Sequence, residues 1–137
     1  MATSAQFTAQ PIIDVNQIST ANTNRNGSGT MVTVAAGPAT AAANGVGKRI
    51  NRVVIHARDS NVANLIRFFI SVDNGTTNNL ILEKYLVANT ANAGNPATRI
   101  EVPELSGLIL PGGNTVLLRA ATHNAESYVI MVESGLL

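Results

Sequence analysis

Between two alternating apolar runs, residues 65–72 and 79–87, the chain reads Asp73-Asn74-Gly75. Asn and Gly enter positive φ at the least cost, so this stretch predicts a tight reversal that lays the two runs antiparallel. The first run, LIRFFISV, alternates Ile66, Phe68, Ile70 and Val72 against Leu65, Arg67, Phe69 and Ser71. A period of two with one wholly apolar face describes a strand packed against a second layer. In the second run Leu80, Leu82 and Leu86 are read as one face, with Ile81, Glu83, Tyr85 and Val87 on the other.

The same texture continues on both sides of this hairpin. RVVIHAR (52–58) is rich in β-branched residues, and TRIEVPEL (98–105) places Ile100 and Val102 inward, with Arg99 and Glu101 outward and Pro103 ending the strand. Residues 88–97 break all periodicity and read as a loop. Pro111-Gly112-Gly113-Asn114 reads as a turn leading into a strand at 115–122. The final run alternates Tyr128, Ile130 and Val132 with Val129, Met131 and Glu133. Seven or eight short strands at roughly ten-residue spacing, without a capped helical stripe, predict an all-β chain forming a single antiparallel β-sandwich of jelly-roll type.

Residues 1–47 differ in texture. Segments such as TANTNRNGSGT and AAGPATAAANGVG read as turns or coil, with short strands at PIIDVNQIS and TMVTVAA. The expected organisation is therefore a loop-rich, partly extended N-terminal arm over 1–47 and a sandwich core over 48–137. At 137 residues one domain with one core is expected.

Composition narrows the function classes. Charged residues make up 12% of the chain, about half the usual share, while Asn (16), Thr (13) and Ala (19) supply the surface. Such a surface repels neighbours weakly and suits a subunit of an assembly. A net charge of +1 gives no field that would draw nucleic acid or an anionic membrane. There is no cysteine, which excludes disulfides, thiolate catalysis and thiolate metal sites. The first residues, MATSAQFTAQ, lack the basic start and apolar run of a secretory signal, so synthesis and folding in the cytoplasm are expected.

Four groups of residues invite a functional reading. His123, Glu126 and Ser127 lie within five positions, but a serine nucleophile needs a histidine held by a carboxylate, and neighbouring strand residues point to opposite faces. They read as the polar turn of a hairpin between strands 115–122 and 127–134. His56 and His123 each stand alone, without metal-ligand spacing, and Asp59 and Asp73 sit in turn sequences, so neither metal nor cofactor is expected. KRINR (48–52) is the basic cluster, with Arg49 and Arg52 expected on opposite sides of a regular strand. Aromatic residues are few; Phe69 and Tyr85 are candidates for an exposed pair that meets another protein.

RINRVVIHARDSNVANLIRFFI, together with LPGGNTVLLRAATHNAESYVIMVESGLL, resembles a group of small tailed-bacteriophage virion proteins over residues 48–137. The resemblance implies a non-enzymatic structural component of the capsid decoration or cement type. It implies the major capsid protein and further copies of the chain, as a homotrimer, for partners, and the outer capsid surface for location. Tail or minor head proteins, and a virion-surface glycan-binding module using loops 73–79, 88–97 and 122–127, are the alternatives, followed by a hydrolase using His123 and Glu126. For a cement subunit the expected interface residues are Phe7, Ile12, Ile13 and Val15 as arm anchors, with Phe69 and Tyr85 as surface anchors.

Overall fold

A computed structural model of the chain describes residues 10–39, 47–113 and 115–137. Among these, nine strands form two antiparallel sheets: β1 (Gln10–Ile18), β2 (Val32–Ala36), β3 (Lys48–Ala57), β4 (Asn64–Ser71), β5 (Asn79–Leu86), β6 (Arg99–Glu101), β7 (Ile109–Leu110), β8 (Leu117–Thr122) and β9 (Tyr128–Leu136). A single 3₁₀ turn at Pro103–Leu105 follows β6. Sheet A runs β1-β9-β3-β6, with β7 also paired to β3, and sheet B runs β2-β8-β4-β5.

The pairing is nested. β4 pairs β5, β3 pairs β6 and β7, β2 pairs β8, and β1 pairs β9. The ribbon so formed rolls up through the β3–β9 and β4–β8 pairs. This is the jelly-roll winding, and the expected sandwich is the observed one. The reversal between β4 and β5 uses the anticipated chemistry, with Asn74 at φ 59° and Gly75 at φ 91°.

Ile50, Val53, Ile55 and Ala57 of β3, Ile66 and Phe68 of β4, Leu118 and Ala120 of β8, and Tyr128, Ile130 and Val132 of β9 fill the space between the sheets. Ile18, Val34 and Ala35 join them from the N-terminal third. The boundary expected at residue 47 therefore does not divide the fold. Residues 10–18 are not an arm: all nine pair with β9, and β2 pairs with β8. In a nested winding the first strands are the partners of the last, so removing them would strip both sheets of an edge.

Three one-residue bulges change which faces the side chains occupy. Asn51 is extra against β9, so Arg49 opposite Gly135 and Arg52 opposite Glu133 share the outward face, contrary to a regular strand. Ile81 is extra against β4, which separates Leu80 from the core-facing Leu82 and Leu86. In β2 the shift falls between Thr33 and Ala35.

Candidate functional site

Residues 123–127 join β8 of sheet B to β9 of sheet A, so the polar stretch is a crossing between sheets and not the expected hairpin turn. Its side chains are committed to holding that crossing. The Glu126 carboxylate accepts hydrogen bonds from the Tyr128 hydroxyl (2.9 Å), the Asn64 amide (3.2 Å) and the Val62 backbone N–H (2.8 Å). Asn64 also donates to Thr122 Oγ1 and the Tyr128 hydroxyl, both at 2.9 Å, and accepts from the Asn124 N–H at 3.0 Å. Burial, with the Glu126 carboxylate beside it, pushes the Tyr128 phenol up to about 12. Ser127 turns the other way and accepts from Gln17 at 2.8 Å. His123 meets neither of them, its Nδ1 lying 3.2 Å from Arg67 Nη1. The three residues are near in sequence and engaged in three different places.

His123 belongs instead to a buried polar layer on the outer face of sheet B. Residues 19–31 cross that face as a strap: Asn22 N–H donates to the Thr122 carbonyl, and Arg119 donates to the Met31 carbonyl. Arg67, 1% exposed, donates from Nε to Glu83 (2.9 Å) and from Nη1 to the Asn22 carbonyl (3.3 Å). Arg25 of the strap holds the same Glu83 oxygen at 2.8 Å. Hydrogen bonds from Arg25 and Arg67 keep the Glu83 carboxyl below its ordinary range. Phe69, expected as an exposed anchor, is wholly buried here with Met31, Ala121 and Leu80. The strap covers the face on which Phe69 stands, so Phe69 is a packing residue.

Sheet A presents the opposite surface. Reading across β1, β9 and β3 by register, its outward rows are Ile13–Glu133–Arg52, Val15–Met131–Val54 and Gln17–Val129–His56. β6 extends the last two with Glu101 and Arg99. Ile13 and Val15 are 63% and 61% exposed, while Val54 is closed over by its neighbours. Ile12 is half-buried and faces inward. Arg52 holds Glu101 (2.6 Å) and Glu133 (3.3 Å), and those contacts, the Glu101 hydrogen bond first, raise its pKa above the usual arginine value. At the far end Arg58 donates to Gln17 at 2.8 Å. The outcome is an aliphatic patch of Ile13, Val15, Val129 and Met131, bordered by the paired Arg52, Glu101 and Glu133 and by Arg49 and Arg99, which make no ion pair among the described residues.

Tyr85 is 60% exposed and forms one wall of a cleft of about 410 Å³ where the free edges of β5 and β6 meet under loop 87–98. Val87, Pro96, Thr98, Arg99 and Ile100 complete much of its lining. Asn89 and Asn95 are also there, but their amides bond each other (3.1 Å) and the loop carbonyls of Pro96 and Thr90.

Of the expected interface residues, the structure brings Ile13 and Val15 together and leaves Tyr85 at a separate edge; Phe7 lies outside the described residues. Val129 and Met131 complete the patch and were not singled out from sequence, although their outward alternation with Tyr128, Ile130 and Val132 marks them. His56 and His123 lie on the outer faces of opposite sheets, and among the described residues no group of three His, Asp or Glu gathers as a metal site. Asp73 caps its own turn, accepting from the Thr77 N–H (2.8 Å) and Ser71 hydroxyl (2.9 Å), and these bonds lower its pKa. No helix among the described residues is long and apolar enough to cross a membrane.

No family model matches the chain, and no curated protein matches it. Among solved structures it is similar to the N-terminal CBM22-1–GH10 modules of endo-1,4-beta-D-xylanase 10B from Clostridium thermocellum, crystallised with xylohexaose, at 15% identity and a TM-score of 0.39. The likeness covers 93% of this chain and 26% of that one, so this chain spans about a quarter of that protein's length. Likeness at that level says nothing of what this chain binds.

Proposed function

We propose that the chain is a non-enzymatic structural subunit of a tailed-bacteriophage virion, a decoration or cement protein that binds the major capsid protein on the outer shell. The observation that carries this reading is the outer face of sheet A: an aliphatic patch of Ile13, Val15, Val129 and Met131 beside an Arg52–Glu101–Glu133 cluster whose charges are already paired with one another. Such a patch gains free energy by losing water, which is what docking on a large protein surface requires. Residues 48–137 add the resemblance to virion proteins. The residues that chemistry would need, His123, Glu126 and Ser127, are tied into separate structural bonds. A stable contact of this kind covers about 1,600 Å² in total.

The test is an image of the intact particle that carries this chain. Density for the jelly roll at capsomer junctions, with the outer face of sheet A against the shell, supports the reading. Density on the tail supports a tail or minor head role, and absence from the particle refutes both.

The Tyr85 cleft favours a second reading, a surface glycan-binding module. A sugar ring would lie on the exposed Tyr85 face, with Arg99 donating to its hydroxyls. Calorimetric titration with oligosaccharides tests it: binding that Tyr85→Ala abolishes supports this reading, and no heat from any neutral oligosaccharide refutes it.

A further inference from the structure

The free edges of the sandwich are not protected alike. β2 has five residues and a register shift, β5 has a bulge at Ile81 and carries Glu83 and Lys84, and β6 has three residues with Arg99 and Glu101 turned outward. Short length, bulges and charges are the usual means of keeping an edge from pairing with another chain. β1 has few of them. It runs nine residues in unbroken register with β9, and its outward side chains are Pro11, Ile13, Val15 and Gln17. Its one charge, Asp14, turns inward, 3.7 Å from Lys48, and Asp14 Oδ2 has no hydrogen-bond partner. Ile13 and Val15, among the most exposed large apolar residues described, stand along this least-guarded edge.

We propose that β1 of one copy pairs antiparallel with β1 of a second copy, about a two-fold axis through Val15. The occupant is a second copy because the strand is self-complementary in that register. Val15 faces Val15, Ile13 faces Gln17, Ile12 faces Ile18, and the Asp14 carboxylate, whose Oδ2 has the Lys48 ammonium 3.7 Å away but accepts no hydrogen bond, comes opposite the Asn16 amide, which can donate to it. The neighbouring registers toward the N-terminus are worse. Centring on Asp14 sets two carboxylates against each other, and centring on Ile13 draws Pro11, which has no N–H, into the ladder. The Val15 register pairs residues 12–18 and leaves Pro11 at the margin. Pairing also joins the two copies of sheet A into one continuous sheet, so their aliphatic patches become a single wider face. A two-fold contact closes on itself as a dimer, whereas the trimer implied by the resemblance would need a heterologous contact.

The inference stands apart from the shell reading, because it concerns the full chain alone in solution. The chain has no cysteine, so Val15→Cys introduces a single thiol. Across the proposed axis the two Cα atoms of Val15 come within about 4.5–5.5 Å, inside disulfide reach, while those of Ile13 are four residues out of register. Sedimentation of the unmodified chain should show a concentration-dependent dimer. Val15→Cys should cross-link it covalently under mild oxidation, and Ile13→Cys should not. Val15→Lys, on an exposed side chain, should keep the thermal unfolding midpoint and weaken the dimer by about tenfold or more, since two lysines would then face each other. A monomer at all concentrations overturns the proposal, as does a trimer, or a dimer that cross-links through position 13 instead of 15.

Discussion

The two outer faces of this sandwich are built from the same kind of strand and treated in opposite ways. On sheet B the strap of residues 19–31 lies over β8, β4 and β5, and Phe69, Arg67 and Ala121 beneath it are sealed from water. On sheet A no described segment crosses the face, and the exposed Ile13 and Val15 stand in rows with the half-buried Val129 and Met131. The difference teaches where to look for function in a chain without an evident active site. A face that the protein covers with its own backbone is part of its stability, and an aliphatic face that it leaves bare is available to another molecule.

The largest expected effect breaks this comparison if it fails. Phe69→Ala removes a fully buried ring from under the strap and should cost about 3–5 kcal/mol, lowering Tm by about 10 °C or more. Met131→Ala, a truncation of similar kind on the bare face, should cost about 1 kcal/mol or less by the same thermal or urea measurement. Equal losses would mean that the two faces do not differ in the way described.

A smaller effect tests what fastens the strap. Arg67→Ala leaves a hole and strips Glu83 of its buried partner, at a cost of about 3 kcal/mol, since breaking a buried pair from one side is the expensive way to lose it. Arg67→Met keeps most of the packing, and Glu83 is still held by Arg25, so it should recover part of that loss. If both variants cost the same, packing is not what Arg67 contributes. Hydrogen exchange should show the damage first at Asn22 and at the Thr122 end of β8, before the β3–β9 pair loosens.

The smallest effect is in pH. Glu83, Asp73 and Glu104 all have carboxyl pKa values held below the ordinary range, by Arg25 and Arg67, by the Thr77 and Ser71 donors, and by backbone N–H and Lys84 respectively. A depressed folded-state pKa contributes stability that is complete above the unfolded value of about 4 and drains away as pH falls through the lower folded value. Stability should therefore be flat from neutral pH down to about 5 and then fall. Glu83→Gln should flatten part of that fall, which a series of urea titrations between pH 6 and 3 would measure.

How much of this was legible in the sequence depends on how local the cause is. The β4–β5 reversal was, because Asn74 and Gly75 must supply positive φ, and so were the inward faces of β4 and β9, because alternation of two is a property of single strands. The bulges at Asn51 and Ile81 were not: one extra residue flips every later side chain, and nothing in KRINR or NLILEKYL marks where the ladder slips. The short strands at PIIDVNQIS and TMVTVAA were legible too, but they read as part of an arm because their partners, β9 and β8, lie about a hundred positions away in a pairing that only the whole roll reveals. Phe69 was misplaced for a related reason. The strap that buries it is rich in Asn, Gly and Ser, lacks periodicity, and covers the face with backbone and amide groups in place of an apolar stripe. The candidate patch was half visible, through Ile13 and Val15; Val129 and Met131 join it only once β1 is known to lie beside β9.

The claim that the bare face of sheet A is the working surface rests on Val129 and Met131, which lie on that face away from the β1 edge. The direct measurement is co-sedimentation of the Val129→Lys, Met131→Lys double variant with phage shells that lack this chain, beside the unmodified chain. The expected result is an unfolding midpoint within about 3 °C of the parent, because at these half-buried outward positions a lysine stem can lie along the sheet with its ammonium in solvent, with binding to the shell lost. A double variant that still loads the shells as fully as the parent contradicts the account.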